Sequence, residues 1–130
     1  MKQISIVVQN KPGVLAEITE LMGEHKINIT DIKAETFGET GVVVMSVDQY
    51  DAALKILRNA SFRAITEDSL LLRLQDEPGA LAKIAKRFSE ANINIRGIHI
   101  VSREGGHSIV AVSTERTEEA MKLVEDILVA

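Results

Sequence analysis

The feature that most constrains the fold is a loop motif that occurs twice. Its first copy, residues 9–16, reads Gln-Asn-Lys-Pro-Gly-Val-Leu-Ala, and its second, residues 75–82, reads Gln-Asp-Glu-Pro-Gly-Ala-Leu-Ala. A run of alternating apolar residues precedes each copy, and an apolar run with helical spacing follows it. The sequence therefore predicts the same strand-loop-helix junction at two places, as in an internal repeat.

The periodicity around both loops extends this repeat to nearly the whole chain. Each half reads strand, helix, strand, strand, helix, and the first half adds a short strand over Phe62–Thr66. The βαββαβ order is typical of a ferredoxin-like unit, an antiparallel sheet with both helices on one face. We predict an α+β fold with two such units, residues 1–67 and 68–130, of which the second ends in a helix over Thr117–Leu128 and lacks its own last strand.

The strand predicted over Phe62–Thr66 can pair with the first strand of either unit. Only Glu67-Asp68-Ser69 separates it from the next strand, so a hairpin would attach it to the second unit. In either case one first strand has an unpaired edge, and open edges pair with other chains. We therefore predict a homodimer.

Composition excludes several functional classes. The net charge is −4, aromatic residues make up 3% of the chain, and cysteine is absent, so neither a basic nucleic-acid surface nor a cysteine metal site is expected. No apolar run has the roughly 20 residues that a membrane-spanning helix needs. We expect a cytoplasmic protein that contacts neither nucleic acid nor membrane.

Enzymatic chemistry is not supported by any motif. The three histidines, His25, His99 and His107, lack the spacing of metal ligands, and neither a nucleophile motif nor a phosphate-binding glycine loop is present. We expect a protein without catalytic activity, metal or cofactor.

The glycines of the two loops are the first candidates for ligand binding. A helix that starts at Gly13 or Gly79 directs unpaired N–H groups and the positive end of its dipole toward the preceding loop, which suits a carboxylate. Asn10 is placed to cap the first of these helices. The alternative interpretation is that Pro-Gly makes a tight turn and nothing more.

Two asparagines, Asn28 and Asn94, open the second strand of each half. Each has two interpretations of equal weight. Asparagine forms turns between a helix and a strand, and its amide also donates to a carboxylate or accepts from an ammonium group.

These residues together resemble the ACT domain, the small-molecule-binding regulatory module of many amino-acid-metabolism enzymes. The motif is Asn10-x-Pro12-Gly13-x-Leu15 with Asn28-Ile29, and its second copy is Asp76-x-Pro78-Gly79-x-Leu81 with Asn94-Ile95. The resemblance implies that two units pair through their second strands and bind an amino acid at the seam. Carried over by position, one site comprises Asn10, Gly13, Val14, Leu15, Asn94 and Ile95, and the other comprises Asp76, Gly79, Ala80, Leu81, Asn28 and Ile29.

The first hypothesis for function is a stand-alone regulatory protein that binds a free amino acid and signals to an enzyme of amino-acid metabolism. The alternative is a structural dimerisation module without a small-molecule ligand. Serine-sensing relatives have a histidine where this chain has Val8 and Leu74, which argues against serine. Asn10 and Asp76 differ, so the two sites need not be equal.

Overall fold

The structure, a computed structural model, describes residues 2–66 and 68–129. The chain divides into two compact units, Met1–Glu67 (unit 1) and Asp68–Ala130 (unit 2). Unit 1 contains β1 (Gln3–Gln9), α1 (Val14–Glu24), β2 (Ile29–Phe37), β3 (Thr40–Val47), α2 (Tyr50–Asn59) and β4 (Arg63–Ile65). Unit 2 contains β5 (Ser69–Gln75), α3 (Ala80–Glu90), β6 (Ile95–Glu104), β7 (His107–Thr114) and α4 (Thr117–Leu123).

Unit 1 is an antiparallel sheet with the strand order β2-β3-β1-β4 and two helices packed on one face. Alternate residues of β1, Ile4 and Ile6, are fully buried against Ile18 of α1 and Leu57 of α2. The alternating and helical apolar patterns therefore meet in a single core, and the predicted fold class is confirmed.

Unit 2 repeats this arrangement with a sheet in the order β5-β7-β6. Its core joins Leu72 of β5, Phe88 of α3 and Ala120 of α4, all at 0% exposure. Among the described residues the sheet has three strands, as predicted for a unit without its own C-terminal strand.

The short strand β4 belongs to unit 1, where Ser5, Ile6 and Val7 of β1 pair with Ile65, Ala64 and Arg63. The alternative hairpin with β5 is therefore wrong. The prediction that one first strand has an open edge is also wrong, because residues 127–129 lie along β5.

Residues 127–129 cover that edge of β5. The Arg73 N–H donates to the Ile127 carbonyl at 2.9 Å, the Val129 N–H donates to the Leu71 carbonyl at 2.7 Å, and Leu72 forms an isolated bridge with Leu128. This contact is possible because α4 ends at Leu123 and not at the predicted Leu128. Within the described residues, the outer edges of β2, β4 and β6 have no neighbouring strand.

A single extra residue distinguishes the second hairpin from the first. The offset that relates Ile29 to Ile95 also relates Val47 to Ser113, yet Ile29 pairs with Val47 and Ile95 pairs with Thr114. The register of β6 shifts between Ile100 and Ser102, where Val101 is the additional residue. After the hairpin, each residue of unit 2 therefore corresponds to its unit 1 counterpart at an offset larger by one, which matters for the site below.

Candidate functional site

Each repeated loop ends at a glycine that precedes a helix. Gly13 has φ 93° and Gly79 has φ 86°, both in the left-handed region that favours glycine, and no side chain caps either helix. An added Cβ on either glycine would meet no atom within 4 Å, so open space lies beside both. The first hydrogen bond of α1 joins the Glu17 N–H to the Gly13 carbonyl at 2.9 Å. The N–H groups of Val14, Leu15 and Ala16 therefore have no acceptor among the described residues.

The Asn10 side chain fixes its loop and does not cap α1, contrary to expectation. Its Nδ2 donates to the Gly38 carbonyl at 3.0 Å, and its backbone N–H donates to the Glu39 carbonyl at 2.7 Å. Both acceptors lie in the turn between β2 and β3. The loop is therefore held against this hairpin, and the first turn of α1 keeps its unbonded N–H groups.

The equivalent loop of unit 2 has a different charge distribution. The Asp76 N–H donates to the Gly106 carbonyl at 2.8 Å, which reproduces the backbone contact of Asn10. The Asp76 carboxylate, however, lies 3.7 Å from Arg103 Nε, and Glu77 forms an ion pair with Lys83 at 3.6 Å. The first loop presents an amide where the second presents a carboxylate next to an arginine.

At the start of β2, Asn28 has a structural role. Its backbone N–H donates to Asp48 Oδ1 at 3.0 Å and its Nδ2 donates to Asp48 Oδ2 at 3.3 Å, while the Asp48 N–H donates to the Asn28 carbonyl at 3.1 Å. The two oxygens of the Asp48 carboxylate thus accept from both nitrogen atoms of Asn28. These bonds join the start of β2 to the residue that follows β3.

At the start of β6, Asn94 has no such contact. Glu115 occupies the position that corresponds to Asp48, and within the described residues no hydrogen bond joins it to Asn94. Asn94 instead borders an open cavity of about 700 Å³. The cavity is lined by Ala85, Ser89, Asn92, Ile93, Asn94, Ile95, Glu115 and Arg116.

Glu115 and Arg116 were not among the residues predicted from the sequence. Arg116 donates to the Asn92 carbonyl, forms an ion pair with Glu119 at 3.1 Å and lines the cavity. The constant offset between the two loop motifs aligns Asp48 with Thr114. The extra residue Val101 hides the correspondence with Glu115 unless the strand pairing is known.

Within each unit, the loop and the second-strand asparagine lie at opposite ends of the sheet. In unit 1, Gln9 pairs with Thr40 at one end of β3, and Ile29 pairs with Val47 at the other. The strand β1, seven residues long, spans about 20 Å. Unit 2 has the same arrangement, with Gln75 opposite His107 and Ile95 opposite Thr114. Neither unit brings its own loop together with its own asparagine.

The remaining predicted site residues have exposures that depend on their place in the helix or strand. Val14 is buried, Ile29, Ala80 and Ile95 are half-buried, and Leu15 and Leu81 are exposed at 45% and 38%. The two leucines are among the few large apolar side chains that solvent reaches in the described residues, and both adjoin the repeated loops.

Neither a metal centre nor a membrane span is found in the part of the chain that the structure describes. No group of three or more histidine, aspartate or glutamate residues there could hold a metal ion. None of the described helices combines the length and apolar character needed to cross a bilayer.

Comparison with known proteins agrees with the two-unit architecture. The family model of the ACT domain pair matches residues 1–129. A solved structure, protein BT0572 from Bacteroides thetaiotaomicron, is 24% identical with a TM-score of 0.50, over 99% of this chain and 91% of that one. No curated protein matches.

Other solved structures are similar at lower scores. The regulatory subunit of aspartate kinase from Thermus thermophilus, in its ligand-free form, is 20% identical with a TM-score of 0.46, over 97% of this chain and 91% of that one. The acetolactate synthase small subunit from Thermotoga maritima is 15% identical with a TM-score of 0.43, over 99% and 89%.

The fold and the repeated loops define a regulatory module made of two ferredoxin-like units. The match over residues 1–129 places the chain in the ACT domain pair family.

Proposed function

We propose that this protein is a stand-alone regulator that binds a free amino acid and passes its bound state to an enzyme of amino-acid metabolism. The chain contains two ACT units, residues 1–67 and 68–130, and it acts as a homodimer. The observation that carries the proposal is the pair of helices that begin at Gly13 and Gly79 with open space beside them.

The ligand lies between the loop of one unit and the second-strand start of another. The separation of about 20 Å between these parts within one unit supports this division, because one small molecule cannot reach both ends of a single sheet. One site therefore combines Asn10, Gly13, Val14 and Leu15 with Asn94 and Ile95. Its counterpart combines Asp76, Gly79, Ala80 and Leu81 with Asn28 and Ile29.

Each part of the site suits one group of an amino acid. The unbonded N–H groups at the start of α1 and the positive end of its dipole attract a carboxylate. The Asn10 Oδ1 accepts from the ammonium, because its Nδ2 is already bonded to Gly38. The exposed Leu15 lies next to the same loop and covers the apolar part of the ligand.

A melting scan of the purified protein against each of the standard amino acids at millimolar concentration tests this function. A ligand present at about ten times its Kd stabilises the folded state by about 1.4 kcal/mol. This corresponds to a rise in Tm of several degrees for a protein of this size. We expect a selective, dose-dependent rise for one amino acid or a few related ones.

The substitution Gly13→Asp places a carboxylate where the ligand carboxylate binds and removes the rise. Gly13→Ala is the matched control, because it introduces the same strain at positive φ without a charge. If no amino acid changes the Tm and substitutions on the β2 or β6 edge change the oligomer, the protein is a structural dimerisation module. In the part of the chain that the structure describes, the outer edges of these two strands have no neighbouring strand, and this feature favours the second function.

A further inference from the structure

We propose that Asp48 is a built-in carboxylate that closes one of the two amino-acid sites, and that Glu115 leaves the other open. The protein then binds one amino acid per chain, at Asn94 and not at Asn28. This inference rests on the proposed function and specifies which of its two sites is used.

Unit 1 shows how a carboxylate binds at the start of the second strand. The two oxygens of Asp48 accept separately from the backbone N–H and from Nδ2 of Asn28, at 3.0 and 3.3 Å. These are the two nitrogen atoms with which Asn28 can make a two-point contact to an incoming carboxylate. A ligand that approaches Asn28 finds both already in use.

Unit 2 has the same asparagine without the internal acceptor. Neither the backbone N–H nor the side chain of Asn94 forms a hydrogen bond within the described residues. Asn94 also borders the open cavity of about 700 Å³, so a small molecule has access to it. The two oxygens of a ligand carboxylate have about four lone pairs, so they can accept from Asn94 in the two-point manner that Asn28 shows with Asp48 as well as from the N–H groups at the start of α1.

The acidic residue that follows the third strand of each unit differs between the two units by one methylene group, because it is Asp48 in unit 1 and Glu115 in unit 2. Glu115 follows β7 as Asp48 follows β3, but its longer side chain lines the cavity and does not bond to Asn94. The short Asp48 side chain competes as a tethered group, with an effective concentration on the order of millimolar or higher. Chain length at this position thus decides whether the site is available.

The charged groups near Asn94 are compatible with a zwitterion. Arg116 is engaged by Glu119 at 3.1 Å and by the Asn92 carbonyl, and the Glu115 carboxylate has no partner in the described residues. An amino acid presents its carboxylate to the Asn94 donors and its ammonium within reach of acidic and amide oxygens. A ligand with only a carboxylate lacks the second contact, so we expect it to bind more weakly.

Equilibrium dialysis with a radiolabelled standard amino acid, the one that gives the largest rise in the melting scan, tests this inference. We expect one molecule per chain for the unsubstituted protein and two for Asp48→Ala, which frees Asn28. Glu115→Asp is expected to reduce binding at least tenfold, because the shortened carboxylate then occupies Asn94. Asp51→Ala and Glu118→Asp remove or shorten exposed carboxylates in the first turns of α2 and α4 and serve as controls.

The outcomes separate this inference from the function on which it rests. If no standard amino acid changes the Tm of the unsubstituted protein, the proposed function fails and the inference fails with it. If the unsubstituted protein binds two molecules per chain, or Glu115→Asp binds as well as Glu118→Asp, the function stands and the inference is wrong. Asp48→Ala removes native hydrogen bonds and can lower stability, whereas Glu115→Asp removes none, so the second variant decides if the first does not fold.

Discussion

The two units share one hydrogen bond that is donated by different side chains. They differ in a second hydrogen bond, although the asparagine that could donate it is the same in both. Gln49 donates to the Lys26 carbonyl at 3.1 Å, and Arg116 donates to the carbonyl of the equivalent residue, Asn92. Lys26 and Asn92 both have positive φ, 57° and 59°, directly after a helix. The φ angle is nearly the same at both positions, and the carbonyl there accepts from a glutamine in unit 1 and from an arginine in unit 2.

The identical residues Asn28 and Asn94 show the opposite. Asn28 is bonded to Asp48, and Asn94 borders a cavity next to Glu115. The two identical side chains therefore have different contacts, and the acidic residue beside each of them differs in length. Equal residues in a repeat therefore do not imply equal sites, and substitutions that exchange features between the units test this view.

The largest expected effect compares the two cores. Phe88 and Met22 occupy equivalent positions in α3 and α1, and both are fully buried. We expect Phe88→Ala to lower the free energy of unfolding by about 3–5 kcal/mol and Met22→Ala by about 2–4 kcal/mol, since a larger side chain leaves a larger cavity. Urea unfolding followed by far-UV circular dichroism measures both. Phe88→Leu keeps most of the volume and should cost about 1 kcal/mol, and an equal loss for all three variants would contradict the assigned packing.

The next effect concerns a buried hydroxyl of unit 2 at a position where unit 1 has a valine. Thr114 is 5% exposed and its Oγ1 has no hydrogen-bond partner among the described residues, whereas Val47 occupies the equivalent position in unit 1. We expect Thr114→Val to raise the free energy of unfolding by about 1 kcal/mol and Val47→Thr to lower it by about 1–3 kcal/mol. Urea unfolding measures both changes. The test is whether the free energy of unfolding rises for Thr114→Val and falls for Val47→Thr. Changes of opposite sign are expected only if both positions have the same apolar surroundings.

The smallest effect on stability concerns the last residues of the chain. Val129→Pro removes the N–H that donates to the Leu71 carbonyl and should lower the free energy of unfolding by about 1 kcal/mol. It also uncovers the edge of β5, so sedimentation should show stronger self-association. Val129→Ala keeps the N–H and is the control. Unchanged association in the proline variant would indicate that residues 127–129 do not protect this edge.

Much of the fold could be predicted because the repeat specifies local structure twice. Apolar residues alternate at Ile4, Ile6 and Val8, and the structure has a strand there. They recur with helical spacing at Leu15, Ile18 and Met22, and the structure has a helix there. The short connection after Thr66 was compatible with two pairings of the short strand. In the structure β4 pairs with β1, which lies far away in the sequence. Local sequence patterns do not specify such long-range contacts, so they could not distinguish the two pairings.

The end of α4 could not be predicted for a related reason. Val124 and Leu128 continue the helical spacing of apolar residues, but Leu128 lies beside Leu72 of β5 and the helix stops at Leu123. Tertiary pairing overrides helical propensity here. The site residues show the same limit, because Asn28 and Asn94 are identical in the sequence and the acidic residues that distinguish them follow β3 and β7, far along the chain.

The separation of loop and strand start within each unit has a consequence for how the protein responds to dilution. A binding site assembled from two units of one chain has an affinity that is independent of protein concentration. A site assembled from units of two chains loses affinity as the chains dissociate, so its response depends on the amount of protein as well as on the amount of amino acid. If the proposed site forms between two chains, the abundance of the protein becomes a second input, and a higher abundance lowers the amino-acid concentration needed for binding.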